Sequence, residues 1–346
     1  MGRNRIVRLF LYSLILGVLP LSLQAAPAAV QQPDDPFASP SPLPFQYPPF
    51  DRIRSKDFAS AFTAAMAEHD HEIAAIATRD DKPTFENTAL ALERAGQRMH
   101  RVQRAFVNLL PSVGDAELQK IDAQFAPQLS LHFDELYLNS SIFRRLDTVY
   151  RSAEREQLDP ESRQLLERKH ADFVRHGARL SKEAKARLKQ INARLAALSS
   201  TFRQNALGAT QVGAVVVEQR SQLDGLDDAR ISAAAAAAGA RGLRDKWLLT
   251  LERPTTQAVL GSLTDRALRE RVYRASSARA SAGEYDNRPA VLEIVQLRDE
   301  KARLLGFSTY AAYALANEGA ATPAAANELL DRIATAALRA TRHDAA

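Results

Sequence analysis

Apolar residues recur every three or four positions along most of the chain from residue 58 onward, which is the spacing of one face of an α-helix. The first such stripe runs from Phe58 to Ile76. A second helix is predicted to begin at Pro83, with Thr84 as its N-cap, and its apolar face consists of Ala89, Leu92, Met99, Phe106 and Leu110. A third pattern runs from Glu117 to Leu131. These patterns predict a mainly helical fold.

The clearest helical pattern lies between Ser162 and Asn205. Its apolar stripe consists of Leu180, Ala184, Leu188, Ile191, Leu195, Leu198 and Phe202. Lysine and arginine occupy the other sides, which is typical of a solvated helix face. We therefore expect this stripe to pack in the core and the basic side chains to face water.

Two short segments, Val212–Val217 and Trp247–Leu251, are apolar and rich in β-branched or aromatic residues, as strands are. They flank a run of six alanines, Ala233–Ala238, which favours a helix. The pattern predicts one small β-excursion near residues 212–251. Helical patterns then return, with Ala290–Leu305 followed by a helix starting at Ser308 and another from Pro323 through Thr341.

The N-terminus has the three-part order of a secretory signal peptide: a basic start, the apolar run Leu9–Leu23, and small residues where a peptidase would cut. Pro20 and the shortness of the run make it a poor membrane span. Residues 1–25 are therefore predicted to be a signal peptide, and the mature protein to be exported without a membrane anchor, and periplasmic if the source is a Gram-negative bacterium. Eight of the 16 prolines lie in residues 27–49, so residues 26–49 are predicted to be an extended linker or strap.

The amino-acid composition limits the kinds of site and partner to expect. The 346 residues include no cysteine, which excludes disulfides, thiolate metal sites and cysteine nucleophiles. The net charge of +5 includes Arg3, Arg5 and Arg8 of the N-terminal segment, so the rest carries 43 basic and 41 acidic residues. This balance, with a single tryptophan, gives no reason to expect a nucleic-acid partner.

The histidines do not form a recognisable metal motif. His71-Glu72 lacks the second histidine of a zinc-protease helix, because position 75 is alanine. Two Glu-x-x-His spacings occur, at Glu68–His71 and Glu167–His170, but on a helical wheel both point away from the apolar stripes, so a di-metal centre is not expected.

The other histidines are equally uninformative. His69 lies on an apolar face and is interpreted as a hydrogen-bonded core histidine. His100, His132, His176 and His343 have no carboxylate or serine at a catalytic spacing. No catalytic, cofactor-binding or metal residue is therefore predicted.

Four segments in order carry a family resemblance. They are Phe50–Ile53, Pro83–Thr88, Arg163–Asn205 and Gly283–Arg288, the last followed by Leu304-Leu305-Gly306-Phe307. Together they resemble the thimet oligopeptidase and oligopeptidase A family of zinc metallopeptidases, and within it the bacterial peptidyl-dipeptidases. The resemblance covers residues 50–346, as the N-terminal part of such an enzyme truncated before its zinc-binding region.

The resemblance implies a two-lobed helical fold around a deep channel, and an enzyme that releases dipeptides from the C-termini of short peptides. In the family, a His-Glu-x-x-His helix and a later glutamate hold the zinc, and the glutamate of the motif is the general base. The motif is absent from these 346 residues, so no zinc is expected on this chain alone and the chain is expected to be inactive by itself.

Three hypotheses remain open at this point. In the first, the chain is the N-terminal part of an exported peptidyl-dipeptidase. In the second, it is a non-catalytic helical module that binds peptides or a partner subunit. In the third, it is one half of an enzyme whose missing C-terminal half is separately encoded. In the first case, the apolar stripe ending near Leu338 should be exposed and promote aggregation.

Overall fold

The computed structural model describes residues 35–252 and 255–344. The predicted signal peptide and the start of the proline-rich segment lie outside the described residues. Within the described ranges, no helix is both long and apolar enough to cross a membrane.

The described residues are mainly helical, as predicted. The α-helices are α1 (Asp57–Ala77), α2 (Ala91–Arg94), α3 (Gln97–Ser112), α4 (Ala116–Tyr137), α5 (Ser140–Tyr150), α6 (Glu154–Gln157), α7 (Pro160–Arg175), α8 (Lys182–Val212), α9 (Asp228–Ala240), α10 (Thr255–Ser262), α11 (Arg266–Ser277), α12 (Arg288–Leu304), α13 (Tyr310–Leu315) and α14 (Pro323–Asp344). A π-helical segment, Phe85–Leu90, leads into α2, and two strands, β1 (Val215–Val217) and β2 (Trp247–Leu249), complete the fold.

An aromatic core joins α1, α3 and α4. Phe62 lies 5.2 Å from Phe106 and 5.3 Å from Phe125 between ring centroids. The proline-rich segment packs onto this core through Phe37, whose ring lies 5.2 Å from that of Phe58. Arg101 fastens the same segment by donating from Nε to the Phe37 carbonyl at 3.1 Å. The described part of the segment is thus a strap on the helical body.

A second core lies under α5, α7 and the π-helical segment, and the predicted cap at Thr84 is confirmed there. Thr84 Oγ1 accepts a hydrogen bond from the Asn87 amide at 3.2 Å, and the Asn87 side chain accepts one from the Thr84 amide at 2.9 Å. The buried Arg145 donates to Asn87 Oδ1 at 3.0 Å and to the Arg79 carbonyl at 2.9 Å. The cap is therefore tied to α5.

The prediction of a single helix with one apolar face from Ala89 to Leu110 was wrong, because the helical backbone is interrupted. The helix α2 ends at Arg94 with Ala95 as its C-cap, and Gly96 adopts a left-handed conformation with φ +74° before α3 begins. A Cβ atom at Gly96 would lie 3.1 Å from the His69 ring, and the Gly96 amide donates to Glu72 at 2.6 Å. Tertiary contact with α1 therefore breaks the helix.

The basic side chains of α8 do not simply face water. Arg187 pairs with Glu300 and Arg194 with Glu293 of α12, each at 2.6 Å. The stripe itself is core where predicted at Leu188, Ile191 and Leu198, which are buried. The helix begins after Gly177 and Ser181, so Leu180 lies before it. Farther along, the Phe202 side chain is 41% exposed.

The predicted β-excursion is confirmed with shorter strands. β1 and β2 pair antiparallel with Val215 opposite Leu249, and α9, containing the alanine run, connects them. Val212 belongs to α8 instead of the strand. Near the C-terminus, Thr309, not Ser308, caps α13 by accepting from the Ala312 amide.

The last helix, α14, has no buried residue among those described. Its apolar side chains Leu329, Leu330, Ile333 and Leu338 are all more than half exposed. The expected exposure of this stripe is confirmed, while the aggregation that it should cause stays a prediction.

The break at Gly96 can be tested by Gly96→Ala. We expect the free energy of unfolding to fall by about 1–3 kcal/mol, because alanine disfavours positive φ and its methyl group meets the His69 ring. Denaturant unfolding monitored by circular dichroism measures this. Gly239→Ala in α9 is the matched control, since no atom lies within 4 Å of its Cβ position, and it should not destabilise. Equal effects of the two substitutions would refute the proposed cause of the break.

Candidate functional site

Two large concave surfaces of the described chain lie along the second half of α8. The first, groove A, runs between α3, α4 and α8 and encloses about 840 Å³. Its lining includes the aromatic rings of Phe106, Phe125 and Phe202 and the exposed side chains of Val107 and Leu207. A mostly apolar groove of this size can hold the side chains of an extended ligand.

The second surface, groove B, lies between α8 and α12 and encloses about 890 Å³. The exposed Val291 and Leu292 of α12 form one wall. Phe202, Ala206 and Leu207 line both grooves, so this part of α8 is a wall common to the two.

A buried polar network anchors this wall to α4. Asp122 is buried and accepts hydrogen bonds from Ser200 Oγ at 2.6 Å and from the Arg203 guanidinium at 2.7 Å. Arg203 is itself half exposed and lines groove A. The carboxylate therefore fixes one cation at the edge of an otherwise apolar surface.

A separate polar pocket of about 510 Å³ lies where α4, α7, α8, α12 and α13 meet. Asp134 Oδ1 accepts from Asn192 Nδ2 at 2.7 Å, and Asn192 Oδ1 accepts from Lys301 Nζ at 2.6 Å. The other oxygen, Asp134 Oδ2, is buried and has no hydrogen-bond partner among the described residues. Burial raises the pKa of Asp134 to about 6, although the Asn192 hydrogen bond and Lys301 oppose the shift. Burial likewise lowers the pKa of Lys301.

Comparison with known proteins identifies the family of this chain. Residues 259–346 match the model of peptidase family M3. The chain is 38% identical to a dipeptidyl carboxypeptidase of Escherichia coli (strain K12) over 304 residues, which is 88% of this chain and 45% of that protein. The chain belongs to peptidase family M3.

Oligopeptidase A proteins are also similar to this M3 chain, at lower identity. The protein of Haemophilus influenzae is 30% identical over 83% of this chain and 43% of its own length, and that of Escherichia coli is 29% identical over 88% and 45%. The resemblance inferred from the four sequence segments is therefore confirmed. The chain spans less than half the length of the curated relatives it matches.

Peptidases of family M3 are metallopeptidases, which raises the question of whether the described residues fit a metal ion. No group of three or more histidine, aspartate or glutamate side chains within residues 35–252 and 255–344 could hold one. The Glu-x-x-His spacings do not converge: Glu68 pairs with Arg98, and Glu167 with Arg155. The described residues therefore do not fit zinc, and no catalytic step is derived through it.

The histidines have structural partners that the sequence spacing did not show. His69 is buried and its Nδ1 lies 2.8 Å from His132 Nε2, which confirms the interpretation as a hydrogen-bonded core histidine. His132 Nδ1 in turn lies 3.1 Å from Asp70. Burial and the neighbouring His132 lower the pKa of His69 to about 4, so this pair is neutral at pH 7.

Two other histidines pack against tyrosine. His170 is buried, stacks on Tyr150 at 3.9 Å and contacts Asp147 at 3.0 Å. His176 stacks on Tyr137 at 4.1 Å, beside the polar pocket. His71, His100 and His343 are exposed. None of the seven histidines is thereby placed as a ligand or a general base.

The buried carboxyl group of Asp134 should make stability depend on pH. Its folded pKa of about 6 lies above the unfolded value of 3.8, so the folded chain loses stability as pH rises from 4 toward 8 and the group ionises. With Asp134→Asn this loss disappears. We expect the variant's unfolding free energy, relative to wild type, to grow by about 2–3 kcal/mol from pH 4 to pH 8.

Urea unfolding at several pH values measures this difference, and any constant effect of the substitution cancels. Asp331→Asn on the exposed α14 is the control and should show no such growth. If the difference in unfolding free energy between Asp134→Asn and wild type did not change with pH, the assignment of Asp134 as a buried acid that ionises near pH 6 would be contradicted.

Proposed function

We propose that this chain provides a substrate-binding helical part of an exported peptidyl-dipeptidase, which removes dipeptides from the free C-terminus of short peptides. The observation that carries the proposal is the 38% identity to a dipeptidyl carboxypeptidase along 88% of the chain. The oligopeptidase A relatives are similar over the same span, but at only 29–30% identity. The comparisons therefore favour the activity of a dipeptidyl carboxypeptidase over that of an oligopeptidase A.

The grooves beside α8 suit an oligopeptide. From Phe202 to Gln211 the helix rises by about 14 Å, which matches about four residues of an extended peptide. Phe202 and Leu207 present apolar surface to both sides of this stretch, while Arg203 and Gln204 add polar groups at the edge of groove A. The grooves would then bind substrate side chains largely by burying apolar area.

The bond-breaking groups are proposed to lie outside this sequence. No His-Glu-x-x-His motif occurs in the 346 residues. We therefore propose that the chain alone neither binds zinc stoichiometrically nor turns over peptides, and that the zinc site belongs to a further part of the enzyme.

A chimera tests the function directly. Residues 50–346 would replace the aligned part of the Escherichia coli dipeptidyl carboxypeptidase, and release of C-terminal dipeptides would be followed by mass spectrometry. We expect turnover by the chimera and none by the isolated chain. In the chimera, Leu207→Asp should raise KM about tenfold with a smaller change in kcat, because a charge replaces an apolar contact in both grooves.

The control for the chimera is Leu131→Asp, an exposed leucine of α4 that lines neither groove. It should leave KM unchanged. Equal KM values for both variants would show that the grooves are not part of the substrate-binding site. If the isolated chain bound zinc stoichiometrically and turned over peptides, its proposed dependence on a further part of the enzyme would be refuted. If a folded chimera bound peptides without turning them over, the hypothesis of a non-catalytic helical module would be favoured.

Export is a separate part of the proposal and depends on residues 1–25. Fused to a phosphatase that folds only in the periplasm, residues 1–35 should direct activity there, with cleavage near Ala25 found by N-terminal sequencing. Leu14→Arg should abolish export because it interrupts the apolar run, whereas Gln31→Arg in the proline-rich segment should not. Export of the Leu14→Arg fusion at the wild-type level would rule out the signal-peptide prediction.

A further inference from the structure

We propose that the polar pocket lined by Asp134, Asn192, Arg298, Lys301 and Tyr310 is a binding site for the carboxylate end of a dipeptide. The choice of a dipeptide, among carboxylate ligands, rests on the proposed function. The site is distinct from grooves A and B, which share none of these five residues.

The pocket carries more positive than negative charge. Neither Arg298 nor Lys301 has a carboxylate within 4.0 Å among the described residues, although both line the pocket. Other charged residues of α12 are paired: Glu293 and Glu300 with arginines of α8, and Arg303 with Asp299. Asp134, which is linked to Lys301 through Asn192, is the one acidic residue lining the described pocket, so one of the two positive charges is left for an anion from outside the described chain.

Aromatic rings hold these two cations in place without neutralising their charge. The Arg298 guanidinium lies 5.0 Å from the Tyr310 ring centroid, and Lys301 Nζ lies 5.6 Å from that of Tyr313. Lys301 uses one N–H on Asn192, so two N–H groups remain for a ligand. A carboxylate that accepts from Lys301 and Arg298 would make charge-assisted hydrogen bonds, the stronger kind.

Asp134 lines the same pocket and is buried, with only 7% of the residue exposed. Its Oδ2 atom lacks a donor among the described residues, and a buried acceptor without a donor destabilises a fold by roughly 1–3 kcal/mol. A ligand that brings an N–H removes this penalty. A dipeptide carries such donors in its amide and its terminal ammonium, and the Asn192 amide keeps Asp134 apart from Lys301 on the pocket wall.

The pocket also has room and apolar surface for a side chain. Its volume of about 510 Å³ lies within the range of small-ligand sites. Phe133, Leu195 and the stacked pair Tyr137–His176 form the apolar part of the lining. These groups favour a dipeptide with an aromatic C-terminal residue, and the nearby Asp134 disfavours multiply charged anions such as phosphate.

Isothermal titration calorimetry at pH 7.5 on the purified 346-residue chain tests the site with three probes: alanyl-phenylalanine, its C-terminal amide and inorganic phosphate. We expect the free acid to bind at least about tenfold more tightly than either of the others. Lys301→Gln and Arg298→Gln should each weaken binding of the acid about fivefold or more, and should leave the affinity for the amide unchanged.

Arg303→Gln is the matched control, because Arg303 lies on the same helix, is 72% exposed and is paired with Asp299 outside the pocket. Arg298 is exposed and makes no ion pair within the described chain, so Arg298→Gln keeps the test valid even where Lys301→Gln unfolds the protein. Equal affinity for acid and amide, phosphate binding as tight as the dipeptide, or no effect of Arg298→Gln would each overturn the inference.

The outcome is separable from that of the proposed function. Leu207→Asp alters grooves A and B but not the pocket, so it should leave dipeptide binding unchanged. Loss of carboxylate selectivity with an active chimera would overturn the pocket alone. Selective binding with an inactive, folded chimera would overturn the peptidase assignment while the carboxylate site stands.

Discussion

The packing of α8 between α4 and α12 is the contact on which the other features depend. Leu188, Ile191 and Leu198 bury one face of α8, and the Asp122 network fixes its later turns to α4. Beyond Leu198 the same helix changes from core to groove wall, because Phe202 and Leu207 stay exposed. Grooves A and B and the polar pocket all include residues of this helix, so a shift of α8 would alter all three.

Charge sets the alignment of α8 with α12. Arg187 and Arg194 pair with Glu300 and Glu293, about two turns apart on each helix, and such exposed pairs contribute only ~0–1 kcal/mol each. Their effect is to select which residues of α12 face solvent and which face the pocket. Lys301, the residue after Glu300, is thereby directed toward Asn192. The buried Asp134 opposite it opposes stability at neutral pH, which is characteristic of residues retained for binding.

Family membership and structure together suggest that substrate binding and hydrolysis are provided by different parts of the enzyme. The chain matches the model of peptidase family M3 over residues 259–346 and dipeptidyl carboxypeptidases over 84–88% of its length, yet it spans less than half of those relatives. The described part offers apolar grooves, a cationic pocket and an uncovered α14, and no group of side chains there fits a metal ion. The proposed binding surfaces therefore lie in this chain, and the proposed hydrolytic chemistry requires groups beyond it.

Local pattern alone determined the helical class, the α1 face from Phe58 to Ile76, the Thr84 cap and the β-excursion, because each depends on residues a few positions apart. The family resemblance was also readable, as an order of short segments. Only tertiary structure decided the break at Gly96, which the His69 ring imposes, and the partners of Asp134 and His69, which lie 58 and 63 positions away. Periodicity shows which face of a helix is apolar, but the segment that covers it, and hence the burial and pKa of its polar groups, follows from long-range packing.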